Sequence, residues 1–167
     1  MEFNRIGQEH GFPTFLPLID GSEKSGSLSP VALQLGQSCV QIALARLWQS
    51  WGITPNSVLG HSLREYAALN VAGVLSVSDT IYLVGRRAQL LEALCTPGSH
   101  KMLTIAASVS SLKETLGDKD IEVACINCPN ETAISGSAEQ TEAYLKTLKA
   151  INIKCTLLST AYAFHSA

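Results

Sequence analysis

The chain has 167 residues, 46 % of them apolar and 16 % charged, with a formal net charge of −2. That composition excludes a disordered chain, and the charge leaves no basic field for a nucleic acid. No apolar run approaches the ~18 residues of a membrane-spanning helix, and the first residues lack the apolar stretch of a secretory signal. The expectation is a cytoplasmic protein that binds neither membrane nor nucleic acid. The length suits one domain with a small insert, able to bury roughly 70 % of its unfolded surface.

Residues 1–28 read as irregular, punctuated by Gly11, Pro13, Pro17, Gly21 and Gly26. Ser29-Pro30 reads as a helix start, with a capping serine and a proline in the first turn. Val31, Leu35, Ile42 and Trp48 lie on the apolar helix that follows, and Gly52 is its predicted stop. Ser57-Val58-Leu59-Gly60 is a predicted short strand. A second helix is predicted from Ser62 to near Gly73, and a third, capped by Ser78-Asp79, to about Leu94.

Thr96-Pro97-Gly98-Ser99 marks a boundary. Beyond it, strands are predicted over residues 102–107, 121–126, 132–135 and 153–158. Helices are predicted over residues 110–116, closed by Gly117, and over residues 140–150. Turn residues run from Asn127 to Asn130. This order is βαββαβ, the ferredoxin-like pattern.

The five cysteines, Cys39, Cys95, Cys125, Cys128 and Cys155, are odd in number and mostly sit in apolar stretches. That suits reduced thiols better than a disulfide framework. Cys125 and Cys128 form the one close pair. A zinc site needs a second pair, which the sequence lacks, and a redox pair should open a helix rather than meet Pro129 and Asn130.

Gly60-His61-Ser62-Leu63 has the layout of a nucleophile elbow: strand, tight turn with serine at its tip, helix. Gly60 lets strand and helix approach closely, the turn lifts the Ser62 hydroxyl clear, and the Leu63 N–H is placed to stabilise an oxyanion. The same residues also fit a serine cap on an ordinary helix. The elbow pattern has glycine two residues after the serine, where this chain has Arg64. A side chain there should crowd the turn or swing toward the pocket, with strain of ~1–3 kcal/mol. Arg87 interrupts a helical stripe of Leu83, Leu90 and Leu94. Its planar fork suits a carboxylate ligand, and equally a structural acid or a snorkelling position at the core edge. A base for the serine must be a histidine. His61 adjoins Ser62 and points elsewhere, His10 and His100 lie in loop-like segments, and His165 follows an apolar stretch near the C-terminus.

Together these residues resemble the acyltransferase domain of fatty acid and polyketide synthases. The resemblance is strongest to the malonyl-CoA:acyl-carrier-protein transacylase domain of fungal non-reducing polyketide synthases. GHSLREYAALNVAGVLS is similar to that family's GHSxGE elbow, and Arg87 stands where the family keeps the arginine that binds the extender carboxylate. Ala163-Phe164-His165-Ser166 resembles its AFHS motif, Asn127 and Ser135-Gly136 resemble its small-subdomain signature, and FPTFLPLIDGS and LSPVALQLGQSCVQIALARLW resemble this fungal group.

The resemblance implies an α/β fold: an incomplete α/β-hydrolase-like core over residues 1–97, an inserted ferredoxin-like subdomain over 98–160, and a return to the core over 161–167. It implies that the family's opening strand and Gly-Gln-Gly loop precede this sequence and that further core elements follow it, leaving His165 on an unsupported tail. Ser62 and His165 are then catalytic, with the Leu63 N–H as oxyanion donor. Arg87, His61 and Phe164 contact substrate, and Gly60 and Arg64 shape the elbow. No metal or bound cofactor is implied. The substrate is malonyl-CoA, and the partners are an acyl carrier protein bearing phosphopantetheine and the other domains of a synthase. Two other readings stay open: a non-catalytic synthase fragment, which Arg64 favours, and a serine esterase or thioesterase, which only the elbow favours.

Overall fold

A computed structural model describes residues 1–117 and 121–165. It divides into two compact units, Met1–Ala93 and Leu94–Ala167.

The first unit is helical: α1 Glu2–Glu9, α2 Leu16–Asp20, α3 Pro30–Ser50, α4 Arg64–Val71 and α5 Val77–Leu94. Two of these correct the expectation of an irregular N-terminal region. Helix α1 forms because its side chains find tertiary partners. Phe3 and Ile6 pack against a core of Phe12, Phe15, Leu35, Cys39, Ile81 and Val84. Asn4 Oδ1 accepts from the Phe15 N–H at 3.1 Å and from Thr14 Oγ1 at 2.9 Å, folding the Gly- and Pro-bearing loop back over the helix. The loop ring of Phe12 is seated against Gly85, where a Cβ would run into it.

Helix α3 begins as its sequence signals require. Ser29 Oγ accepts from the Ala32 N–H at 3.2 Å, and Pro30 takes the first turn. It closes at Gly52, whose φ of +79° suits a residue without Cβ. Val31, Leu35, Cys39 and Ile42 form its buried face, while Trp48 is exposed. The cap of α5 is Ser76 rather than Ser78. Ser76 Oγ accepts from the Asp79 N–H at 3.0 Å, and Asp79 Oδ2 accepts from the Ser76 N–H at 3.3 Å, a reciprocal box. Its buried face is Thr80, Ile81, Val84, Gly85 and Ala88. Leu83, Leu90 and Leu94 are exposed, so the stripe that Arg87 interrupts lies outside this buried face.

Residues 57–60 are extended but form no strand. A strand needs a neighbour to pair with, and among the described residues this unit has none. Leu59 is 91 % exposed.

The second unit runs β1 His100–Ile105, α6 Val109–Leu116, β2 Glu122–Cys128, β3 Glu131–Ser137, α7 Ala138–Ala150 and β4 Cys155–Leu157. Its sheet has the order β2-β3-β1-β4, every pair antiparallel. Leu103, Ile105 and Ile134 pack with Leu112 of α6 and Leu148 of α7. Strand β2 extends through Cys128, so only Pro129 and Asn130 make the hairpin turn. Asn127 thus ends on a strand, and its Nδ2 donates to Glu131 Oε1 at 2.9 Å. All five cysteines are free.

Candidate active site

The turn between residue 60 and α4 carries the backbone of an elbow. Ser62 has φ +57°, in the left-handed region that L-residues rarely enter. Holding serine there stores strain on the order of 1–3 kcal/mol. Two contacts hold it. A Cβ on Gly60 would collide with the carbonyl carbon of Arg64 and the nitrogen of Glu65, so only glycine permits this approach. The Gly60 N–H then donates to Glu65 Oε2 at 3.2 Å, bridging the turn. The helix starts two residues beyond Ser62: the Glu65 N–H donates to the Ser62 carbonyl at 3.1 Å and the Arg64 N–H to that of His61 at 3.2 Å.

Leu63 turns its side chain to the core, half-buried beside the Phe12 and Phe15 cluster. Among the described residues, its N–H has no acceptor. That leaves a donor beside Ser62 at the positive end of α4.

Arg64 is the first residue of α4 and is exposed. Its backbone is helical, so an L side chain fits without strain. The expected strain at this position is corrected: it sits at Ser62. The side chain turns outward, as the sequence allowed. With His61, Ser62 and Leu63 it lines a groove of about 920 Å³ whose other wall holds Leu18, Ile19, Val40, Gln37 and Gln41.

Arg87 is half-buried on α5. Its Nη1 donates to Gln34 Oε1 of α3 at 2.5 Å. Arg86 is exposed and donates instead to Gln89 Oε1 at 2.8 Å.

Phe164 and His165 belong to the second unit. The Phe164 N–H donates to Met102 Sδ at 3.4 Å, the Gly98 N–H to the Ala161 carbonyl at 2.8 Å, and Tyr162 is buried. The tail before His165 is therefore anchored to β1, which corrects the expectation that it is unsupported. His165 is exposed, with φ +61°. Ser166 lies outside the described residues. Among the described residues, no group of three or more His, Cys, Asp or Glu side chains could hold a metal, and no helix is long and apolar enough to cross a membrane.

Sequence reasoning missed Glu65 and Gln34. Glu65 was visible as an acid in the first turn after the serine. Gln34 was visible as a polar residue on the buried face of an apolar helix.

Comparison with known proteins places these residues. The acyl transferase domain family matches residues 10–167. The chain is 85 % identical over its whole length to the non-reducing polyketide synthase terA of Aspergillus terreus, covering 8 % of that protein. It is 56 % identical to the conidial pigment polyketide synthase PfmaE of Pestalotiopsis fici, over 99 % of this chain and 8 % of that protein. The acyltransferase domain of the polyketide synthase PpsC of Mycobacterium tuberculosis shares the fold, with a TM-score of 0.86 at 24 % identity over 97 % of this chain and 48 % of that one.

Proposed function

The chain belongs to the acyl transferase domain family, and on that premise we propose that its domain transfers malonyl from coenzyme A to an acyl carrier protein in polyketide biosynthesis. The left-handed Ser62, held by Gly60 and Glu65 beside the unpaired Leu63 N–H, is the observation that carries this reading.

In this reading His165 accepts the Ser62 proton as Oγ attacks the thioester carbonyl. The Leu63 N–H steadies the oxyanion, the carbon–sulfur bond breaks, and coenzyme A leaves with the proton from His165. The carrier's phosphopantetheine thiol then gives its proton to the same base and attacks malonyl-Ser62, which regenerates the serine. Arg87 pairs with the free malonyl carboxylate, Phe164 limits bulk at the α-carbon, and His61 lines the acyl pocket. No metal or bound cofactor takes part. The carrier protein and the other domains of a synthase are the partners. Residues 1–97 belong to an α/β-hydrolase-like core, residues 98–160 form a ferredoxin-like insert, and residues 161–167 return to the core. The antiparallel order β2-β3-β1-β4 supports the insert.

The test is steady-state transfer from labelled malonyl-CoA to a holo carrier protein. Parallel double-reciprocal plots and label on the carrier thiol are the expected outcome. Release of free malonate without transfer would mean an esterase instead.

A further inference from the structure

The side chain that holds Arg87 is an amide rather than an acid. Gln34 lies on the buried face of α3, 9 % exposed, beside Val31, Leu35 and Ser38. Its Oε1 accepts from Arg87 Nη1 across 53 residues of sequence. Burying an amide there is costly unless it is hydrogen-bonded, and Arg87 supplies the bond. A carboxylate in its place would grip the guanidinium more firmly, often through two parallel bonds. It would also cancel the charge. An amide oxygen fixes the guanidinium without neutralising it.

We propose that Gln34 is a positioning residue for acyl selection: it orients Arg87 and, being neutral, leaves the arginine's charge to an incoming carboxylate. This rests on the reading of Arg87 as the malonyl clamp and deepens it. The expected consequence is unusual for a conservative change. Gln34→Glu keeps the size and an oxygen acceptor, so a structural hydrogen bond would survive or strengthen. A clamp would instead be quenched, because the new carboxylate competes with that of the substrate.

The experiment measures kcat/KM for loading from malonyl-CoA and from acetyl-CoA, in the full-length protein that contains this chain, with thermal unfolding alongside. For Gln34→Glu the expected result is a malonyl loss of roughly tenfold or more, the scale of a hydrogen bond to a charged group, with acetyl loading held within about twofold. Gln34→Met removes the acceptor without adding charge. It should give a smaller, malonyl-specific loss carried mainly by KM. Retained malonyl preference in Gln34→Glu, or equal loss of both acyl groups in the two variants, would overturn the inference while leaving the clamp intact. If the unmodified protein shows no malonyl preference, or Arg87→Ala lowers both alike, the clamp reading falls and this inference falls with it.

Discussion

The Gly60 N–H and the Glu65 carboxylate meet at 3.2 Å across the turn that carries Ser62. This bond closes a loop around a serine in the left-handed region, at the end of a helix whose dipole favours an acid in its first turn. The strain of that serine persists because its neighbours are fixed.

Gly60→Ala should therefore destabilise the protein by about 2 kcal/mol or more, since its Cβ meets backbone rather than a yielding side chain. Denaturant unfolding measures it. An unchanged midpoint would mean that the turn relaxes and that the close approach is dispensable.

Glu65→Ala should slow acylation of Ser62 while Glu65→Gln, which keeps an acceptor oxygen, largely preserves it. The rate of Ser62 labelling by a fluorophosphonate reads this directly. Equal rates in both variants would show that the bridge does not hold the nucleophile.

Arg64→Gly should leave stability within about 0.5 kcal/mol, because Arg64 is exposed and has an ordinary helical backbone. A gain of more than ~1 kcal/mol would restore the idea that arginine strains the elbow.

How much of this was legible depended on where each signal lies. Helix α3 was readable because Ser29, Pro30 and Gly52 act within their own turns. The elbow was readable because Gly60 and Ser62 answer to the same local geometry. Helix α1 was not, because it depends on Phe3 and Ile6 finding Phe15 and Ile81. Residues 57–60 carry strand-forming side chains, yet a ladder depends on a neighbour. The cap of α5 was placed two residues late, since Ser76 and Ser78 offer the same chemistry and only the reciprocal bond with Asp79 separates them. Gln34 stayed hidden because its partner is distant in sequence.

Cys39 is buried in the first core, and desolvation pushes its thiol from 9.0 up to about 12. The native state then keeps a proton that the unfolded chain releases. This contribution is complete below the unfolded value and is lost as pH rises through the window from 9.0 to about 12. Cys39→Ala should show a flatter stability profile there than the unmodified protein. Alkylation at pH 8 should label the exposed Cys95 and Cys128 and spare Cys39. Prompt labelling of Cys39 in the native state would contradict its burial.

The central claim is that Ser62 carries the acyl group. The most direct measurement is peptide mapping by mass spectrometry after brief exposure of the full-length protein to malonyl-CoA, with Ser62→Ala alongside. The account expects one malonyl group on the peptide containing Ser62, absent from Ser62→Ala and discharged by a holo carrier protein. No adduct on that peptide, or an adduct that survives Ser62→Ala, would contradict it.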